Sequence, residues 1–345
     1  MARADLLKKL FETYQRRDDA AFRSVADEII EEERKKQHPV LANELQRILA
    51  NGVRSLQDVQ PSSRSHLEPV PMDSDRRTPL LAIRNPDRYF DDIVLDPQLR
   101  GALDRLMREV RGWEILETSG LAPTRRLLFC GPSGCGKTAT AEAVATELGL
   151  PMLYVRFDSV VSSLLGETAA NVRKVFDYAA RGQWVVFFDE FDAIGRSRDD
   201  ATEHGEIKRV VNSFLQLLDS FHGRSLVIAA TNFEQSLDPA IWRRFDDVLR
   251  FGLPDAGALA TLVSKRLRPL RFKKSHVDRI ASELTGSSFA DAERVCLDIR
   301  KQRALEGGDT VRQPDVQVAL ARHAYRKEIL QMAARDVPPP TIDRE

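Results

Sequence analysis

No stretch of this 345-residue chain stays apolar long enough to cross a membrane. The longest apolar runs, such as residues 184–188, have the length of a strand, and Met1 is followed by Ala-Arg-Ala-Asp instead of an apolar leader. Neither sign of charge dominates, because 52 Lys and Arg stand against 52 Asp and Glu, so no global field points to nucleic acid or an anionic surface. Cysteine is scarce. Cys130, Cys135 and Cys296 are too few for a disulfide framework, and no Cys/His group has zinc spacing. These absences lead us to expect a cytoplasmic protein whose only metal arrives with a ligand. The length allows two or three domains and ample buried core.

Apolar residues near the N-terminus recur at helical spacing: Leu6, Leu7, Leu10 and Tyr14, then Phe22, Val25, Ile29 and Ile30, then Leu41, Leu45, Ile48 and Leu49. Residues 1–50 are therefore expected to form a small helical module that binds a client or partner. Residues 51–85 lose this periodicity and gain Pro, Ser, Asp and Arg, as a linker does. From 86 to 254, apolar strand-length runs alternate with helical patterns, the signature of a parallel sheet covered on both faces. The expected strands are 126–130, 152–157, 184–188, 226–230 and 248–251. Residues 255–328 read as wholly helical, over 256–267, 277–284, 290–304 and 314–327, and residues 329–345 have the composition of a tail.

Residues 131–138 read Gly-Pro-Ser-Gly-Cys-Gly-Lys-Thr, which satisfies G-x-x-x-x-G-K-[ST] between an apolar run and an Ala-rich helical run. In that context the pattern is a phosphate loop. Its glycines let backbone N–H groups turn toward phosphates at a helix N-terminus. Gly131, Pro132, Ser133, Gly134, Cys135, Gly136, Lys137, Thr138 and Ala139 are thus expected to cradle ATP, with Lys137 on the β/γ-phosphates and the Thr138 hydroxyl on Mg²⁺. The position of Cys135 near a helix N-terminus makes it either a reactive thiol or a small, inert loop residue. A second signal is the apolar run Val185-Val186-Phe187-Phe188 ending in Asp189-Glu190. Carboxylates at a strand exit occupy the edge where α/β sheets bind ligands. Asp189 is expected to serve Mg²⁺ and Glu190 to activate the attacking water.

From about Tyr89 to Tyr325 these residues resemble the AAA+ ATPases, in particular the AAA clade of meiotic, microtubule-severing and membrane-remodelling proteins, in a small, bacterial-type form with a single AAA domain. The resemblance implies a P-loop NTPase fold, an α/β parallel sheet with a C-terminal α-helical lid, here preceded by the N-terminal helical module. It places the segment from Tyr89 to Ile93 near adenine. Ala230-Thr231-Asn232 resembles the strand end where an asparagine helps Glu190 polarise water. The run from Leu237 to Asp246 resembles the region carrying arginine fingers, which makes Arg243 and Arg244 the candidates. Such arginines act on a neighbouring subunit's ATP, implying a homo-oligomeric ring, a hexamer. Residues 285–293 resemble a lid motif, with Phe289 where glycine is usual.

The family's first pore loop is aromatic-aliphatic-glycine, whereas here Leu164-Leu165-Gly166 occupies the matching stretch. Leucine gives a client chain less contact area than an aromatic ring and no face for stacking. Lys265, Arg266, Arg268, Arg271, Lys273 and Lys274 cluster in the lid, yet without interleaved aromatics they suit a solvated face or subunit contact better than nucleic acid. Two functions follow. The first is an ATP-hydrolysing ring that remodels or unfolds a protein client; the alternative is an ATP-dependent assembly switch that regulates a partner effector without threading it.

Overall fold

A computed structural model of the chain describes residues 6, 9, 13, 19–35, 69–73, 77–156, 165–191, 201–233 and 239–335. Backbone contacts divide the chain into two units, residues 1–67 and 68–345. In the first, helix α1 (Asp19–Lys35) buries Ile29 and Ile30, as the helical spacing predicts, and Leu6 is also buried. The expected helix at 41–49 lies outside the described residues. No helix among the described residues is long and apolar enough to cross a membrane.

The second unit is built on a six-stranded sheet: β1 (Ala82–Arg84), β2 (Arg126–Cys130), β3 (Met152–Arg156), β4 (Val185–Asp189), β5 (Leu226–Thr231) and β6 (Asp247–Arg250), ordered β1-β3-β4-β5-β2-β6. All neighbours run parallel except β1, which pairs antiparallel with β3. Successive residues of a strand face opposite sides. Val186 and Phe188 enter one apolar core, while Val185 and Phe187 enter the other. Burial on both faces is why these strands read as unbroken apolar runs.

Helices α2 (Pro97–Arg111), α3 (Trp113–Thr118), α4 (Lys137–Leu148), α5 (Leu165–Ala179), α6 (Ala201–Asp219) and the short α7 (Pro239–Trp242) accompany the sheet. Residues of α2 and α4 pack on one face, and those of α5 and α6 on the other. Helix α2 starts where the sequence permits, with Pro97 at its first turn and the Asp96 carboxylate accepting from Gln98 N–H at 2.8 Å.

Four further helices, α8 (Ala256–Leu267), α9 (Lys274–Glu283), α10 (Phe289–Leu305) and α11 (Gln313–Arg335), share a third core that includes Leu259, Val263, Ile280, Val295 and Ile299. Asp255 caps α8 by accepting from Ala258 N–H at 2.7 Å. Ser288 and Asp291 form a capping box at α10. The fold is thus the expected mixed α/β sheet with a helical C-terminal part. Strand β1 is an addition. The sequence reading has no strand between residues 51 and 85, because three residues on an antiparallel edge give too little periodicity to recognise.

Candidate active site

The phosphate loop joins β2 to α4, and its glycines hold conformations that other residues resist. Gly131 has φ 137°, and a Cβ there would stand 2.0 Å from the Phe251 carbonyl oxygen, so only hydrogen fits. Gly134, at φ 76°, lies against the start of α10, where an added Cβ would be 2.7 Å from Ser288 Oγ. Its carbonyl accepts from Ala290 N–H at 3.1 Å, so loop and helical region touch directly. Gly136, at φ 99°, opens α4 with free space beside it.

Lys137 is buried, and its ammonium donates to Gly131 O at 2.7 Å, Pro132 O at 3.0 Å and Asn232 Oδ1 at 2.7 Å. Partnering of this kind is what a buried ammonium requires. It brings the ends of β2 and β5 together, as the register Cys130↔Thr231 demands. At the end of β4, Asp189 Oδ2 lies 3.5 Å from Thr138 Oγ1 and accepts from Tyr154 Oη at 2.7 Å, while Oδ1 accepts from Glu190 N–H at 3.0 Å. Glu190 is exposed and holds φ 56°, a left-handed conformation unusual for a side chain of its size. Strain of this sort persists where the surroundings over-determine it, and it clusters at functional sites.

Ser133, Gly134, Gly136, Lys137, Thr138, Ala139, Asp189, Glu190 and Asn232 line one cavity of about 360 Å³. Ile93, Val94 and Leu95 form an apolar stretch of its wall, and Leu262, Arg266, Phe289, Ala290 and Glu293 close it from the helical region. Lys265 donates to the Asp91 and Ile93 carbonyls, tying that wall to α8. Arg266 pairs with Glu293, Nε to Oε1 2.9 Å. With Arg271, whose Nε lies 3.4 Å from Asp309 Oδ2, three of the clustered basic residues are engaged within the chain. Gly131, Pro132 and Cys135 belong to the same loop without lining the cavity. Arg266, Glu293 and Arg88, which pairs with Glu142 at 3.0 Å, are wall residues that the sequence reading missed; they come together only through tertiary packing.

Of the two readings of Cys135, burial favours the small, inert loop residue. It is buried, and burial pushes its thiol pKa up against the lowering influence of Lys137. Desolvation outweighs the Lys137 charge here. Arg243 and Arg244 follow α7 on the exposed surface, outside the cavity wall. Residues 157–164, Leu164 among them, lie outside the described residues, as does the side chain of Leu165, whose backbone begins α5.

A sheet with a phosphate loop after one strand and an acidic pair after another has its counterpart among known proteins. Residues 127–253 match the ATPase family associated with various cellular activities (AAA). An uncharacterized AAA family ATPase of Sinorhizobium fredii is 41% identical over 329 residues, which cover 95% of this chain and 97% of that protein. The chain belongs to the AAA family. It is an AAA+ ATPase with a single AAA domain, and it hydrolyses ATP. The ATP-dependent zinc metalloprotease FtsH 3 of Sphaerobacter thermophilus is 34% identical, over 72% of this ATPase and 52% of its own length. A proteasome-activating nucleotidase of Methanopyrus kandleri is 28% identical, over 86% of this ATPase and 76% of its own length.

Proposed function

We propose that this ATPase assembles into a homo-oligomeric ring, a hexamer, and uses Mg²⁺-dependent ATP hydrolysis in the cytoplasm to remodel or unfold a protein client. The observation that carries the reading is the single cavity that gathers the phosphate loop, Asp189, Glu190 and Asn232 with the wall from Ile93 to Leu95 and the helical lid. Two relatives bear names that concern protein breakdown, a metalloprotease and a proteasome-activating nucleotidase, which supports a protein as client. Residues 1–50 are the proposed recruiting module, 51–85 its linker, 86–254 the ATPase domain, 255–328 the lid and 329–345 a tail.

In this reading the loop from Gly131 to Ala139 holds the phosphates and Ile93 flanks adenine. Thr138 and Asp189 offer the hard oxygen donors that Mg²⁺ takes beside phosphate oxygens, and their 3.5 Å separation suits one shared ligand. The metal's chemistry would be neutralisation of phosphate charge. Glu190 takes the proton of the attacking water, and Asn232 orients that water. Lys137 exchanges its carbonyl partners for phosphate oxygens. Arg243 and Arg244 act on the ATP of the adjacent subunit, where a planar guanidinium meets the charge that spreads over the transferring phosphoryl group. Leu164 and Leu165 contact the client.

The experiment is Glu190→Gln in the full chain. With ATP it should accumulate as a nucleotide-loaded ring by native mass spectrometry while hydrolysis stops. A monomeric protein with bound ATP would contradict the ring, and unimpaired turnover would contradict the base.

A further inference from the structure

Tyr154 interrupts the aliphatic pattern of β3 with a polar group, and its hydroxyl reaches the carboxylate at the end of the neighbouring strand. Tyr154 Oη donates to Asp189 Oδ2 at 2.7 Å. Because Asp189 Oδ1 already accepts from Glu190 N–H, both carboxylate oxygens are held by donors of the chain. The side chain that lies 3.5 Å from Thr138 is thereby fixed in plane and rotamer. Burial alone would be served as well by phenylalanine, since the ring packs 5.9 Å from that of Phe187. The hydroxyl is the feature that packing leaves unexplained.

The outer face of the same ring carries a second group. The Arg84 guanidinium carbon stands 3.4 Å from the Tyr154 ring centroid, within the range of a cation–π contact. Arg84 ends the edge strand β1, whose register sets Ala82 opposite Tyr154, so Arg84 reaches the ring diagonally. The segment leading into β1 is anchored independently. Leu80 and Leu81 are buried, and buried Asp73 accepts from Asn171 Nδ2 at 2.8 Å. Lys174 also donates to Met72 O at 3.1 Å. Arg84, Tyr154 and Asp189 therefore form a continuous line from the sheet edge to the cavity.

We propose that Tyr154 is a positioning residue for the ATPase reaction, orienting Asp189 for Mg²⁺, and that Arg84 acts through it by fixing the ring. This rests on the reading that Asp189 faces Mg²⁺. An oriented carboxylate keeps a metal site formed before the metal arrives, and partners one step removed from the ligands tune affinity. Because Glu190 follows directly, the same hydrogen bond also steadies the peptide that carries the proposed base.

The test is a Mg²⁺ titration of equilibrium binding of a fluorescent ATP analogue to the full chain, with an EDTA baseline, for the parent and for Tyr154→Phe, Arg84→Ala, Arg84→Lys, Tyr154→Phe/Arg84→Ala and Asp189→Ala. Tyr154→Phe should shift the Mg²⁺ midpoint upward by about tenfold, the scale of one hydrogen bond to a charged group, and should leave binding in EDTA unchanged, which a general loss of structure would not. Arg84→Ala should shift it in the same direction by less, Arg84→Lys should restore part of the loss, and the double variant should match Tyr154→Phe alone. A parent-like midpoint for Tyr154→Phe beside a strong effect of Asp189→Ala would overturn this inference and leave the metal reading standing. A parent-like midpoint for Asp189→Ala would overturn both. A shift from Arg84→Ala that adds in full to that of Tyr154→Phe would remove Arg84 from the line.

Discussion

Arg244 is tied to Asp219, Nη1 to Oδ2 at 2.8 Å, while Arg243 beside it makes no ion pair among the described residues. Asp219 is shared with Arg126, at 3.5 Å, and Arg126 in turn pairs with Asp246. The end of α6 thus holds the segment after α7 through Arg244, and the start of β2 holds it through Asp246. In the proposed ring, Arg243 is the one of the two that has no ion partner among the described residues.

This difference makes the adjacent arginines unequal. Arg243→Ala should lower kcat by a factor on the order of 10³ at saturating ATP, the lower end of what an arginine finger contributes. Arg244→Ala should cost less turnover and change stability by less than about 1 kcal/mol, because exposed ion pairs contribute little. Steady-state kinetics and denaturant midpoints of the two variants decide the matter, and equal losses of kcat would refute the distinction.

Glu190→Gln should reduce kcat by about 10²- to 10⁴-fold, the span of general base catalysis, with nucleotide affinity retained. Lys137→Ala should instead lose affinity, since its ammonium sits among the loop carbonyls where phosphate must bind. Isothermal titration with a non-hydrolysable analogue separates the two. Weak binding by Glu190→Gln would move that residue from the chemistry to the binding of nucleotide.

The Asp246 carboxyl reports on the same charge network through pH. Burial works against its ionised form, yet hydrogen bonds from the Arg126 side chain and from Arg125 and Arg126 N–H prevail and hold its pKa below the ordinary carboxylate value. A carboxyl with a lowered folded-state pKa stabilises the fold above its unfolded pKa, and that stability is lost as pH falls through the folded value. Asp246→Asn should therefore be less stable than the parent at neutral pH, with the gap closing below about pH 4. Urea midpoints across that range provide the check, and a gap that widens toward acid would contradict the assignment.

Cys135 should resist maleimide in the native protein at neutral pH and react once the chain is unfolded. The thiol is buried, and burial raises its pKa. Mass spectrometry of labelled peptides with and without denaturant gives the comparison. Equal rates in both states would show an accessible thiolate in the loop.

The parts of this molecule that announce themselves in sequence are those whose chemistry is local. A phosphate loop is eight contiguous residues, and its need for Gly131 follows from one backbone angle and one close approach to Phe251. The doubly buried strands are legible because burial on both faces writes a continuous apolar run, as in β4. Their bounds shift by a residue, since Asp189 still pairs within the sheet although its side chain faces the cavity. The edge strand β1 was not legible, nor was Arg84 over Tyr154, because residues 70 positions apart meet only through register. The two readings of Cys135 stayed open in sequence for the same reason. The charge of Lys137 can be read from sequence, but the burial that outweighs it is a property of packing.

If Arg243 and Arg244 serve the ATP of an adjacent subunit, hydrolysis requires a partner, and subunit mixing tests that requirement. Arg243→Ala/Arg244→Ala subunits and Glu190→Gln subunits are each expected to be inactive alone. Combined at concentrations where the parent's turnover per subunit has reached its plateau, they should recover part of the parent rate, because some interfaces then pair an intact arginine with an intact base. Recovery together with a parent rate per subunit that rises with protein concentration is the predicted result. No recovery at any mixing ratio, with a parent rate independent of concentration, would contradict that requirement.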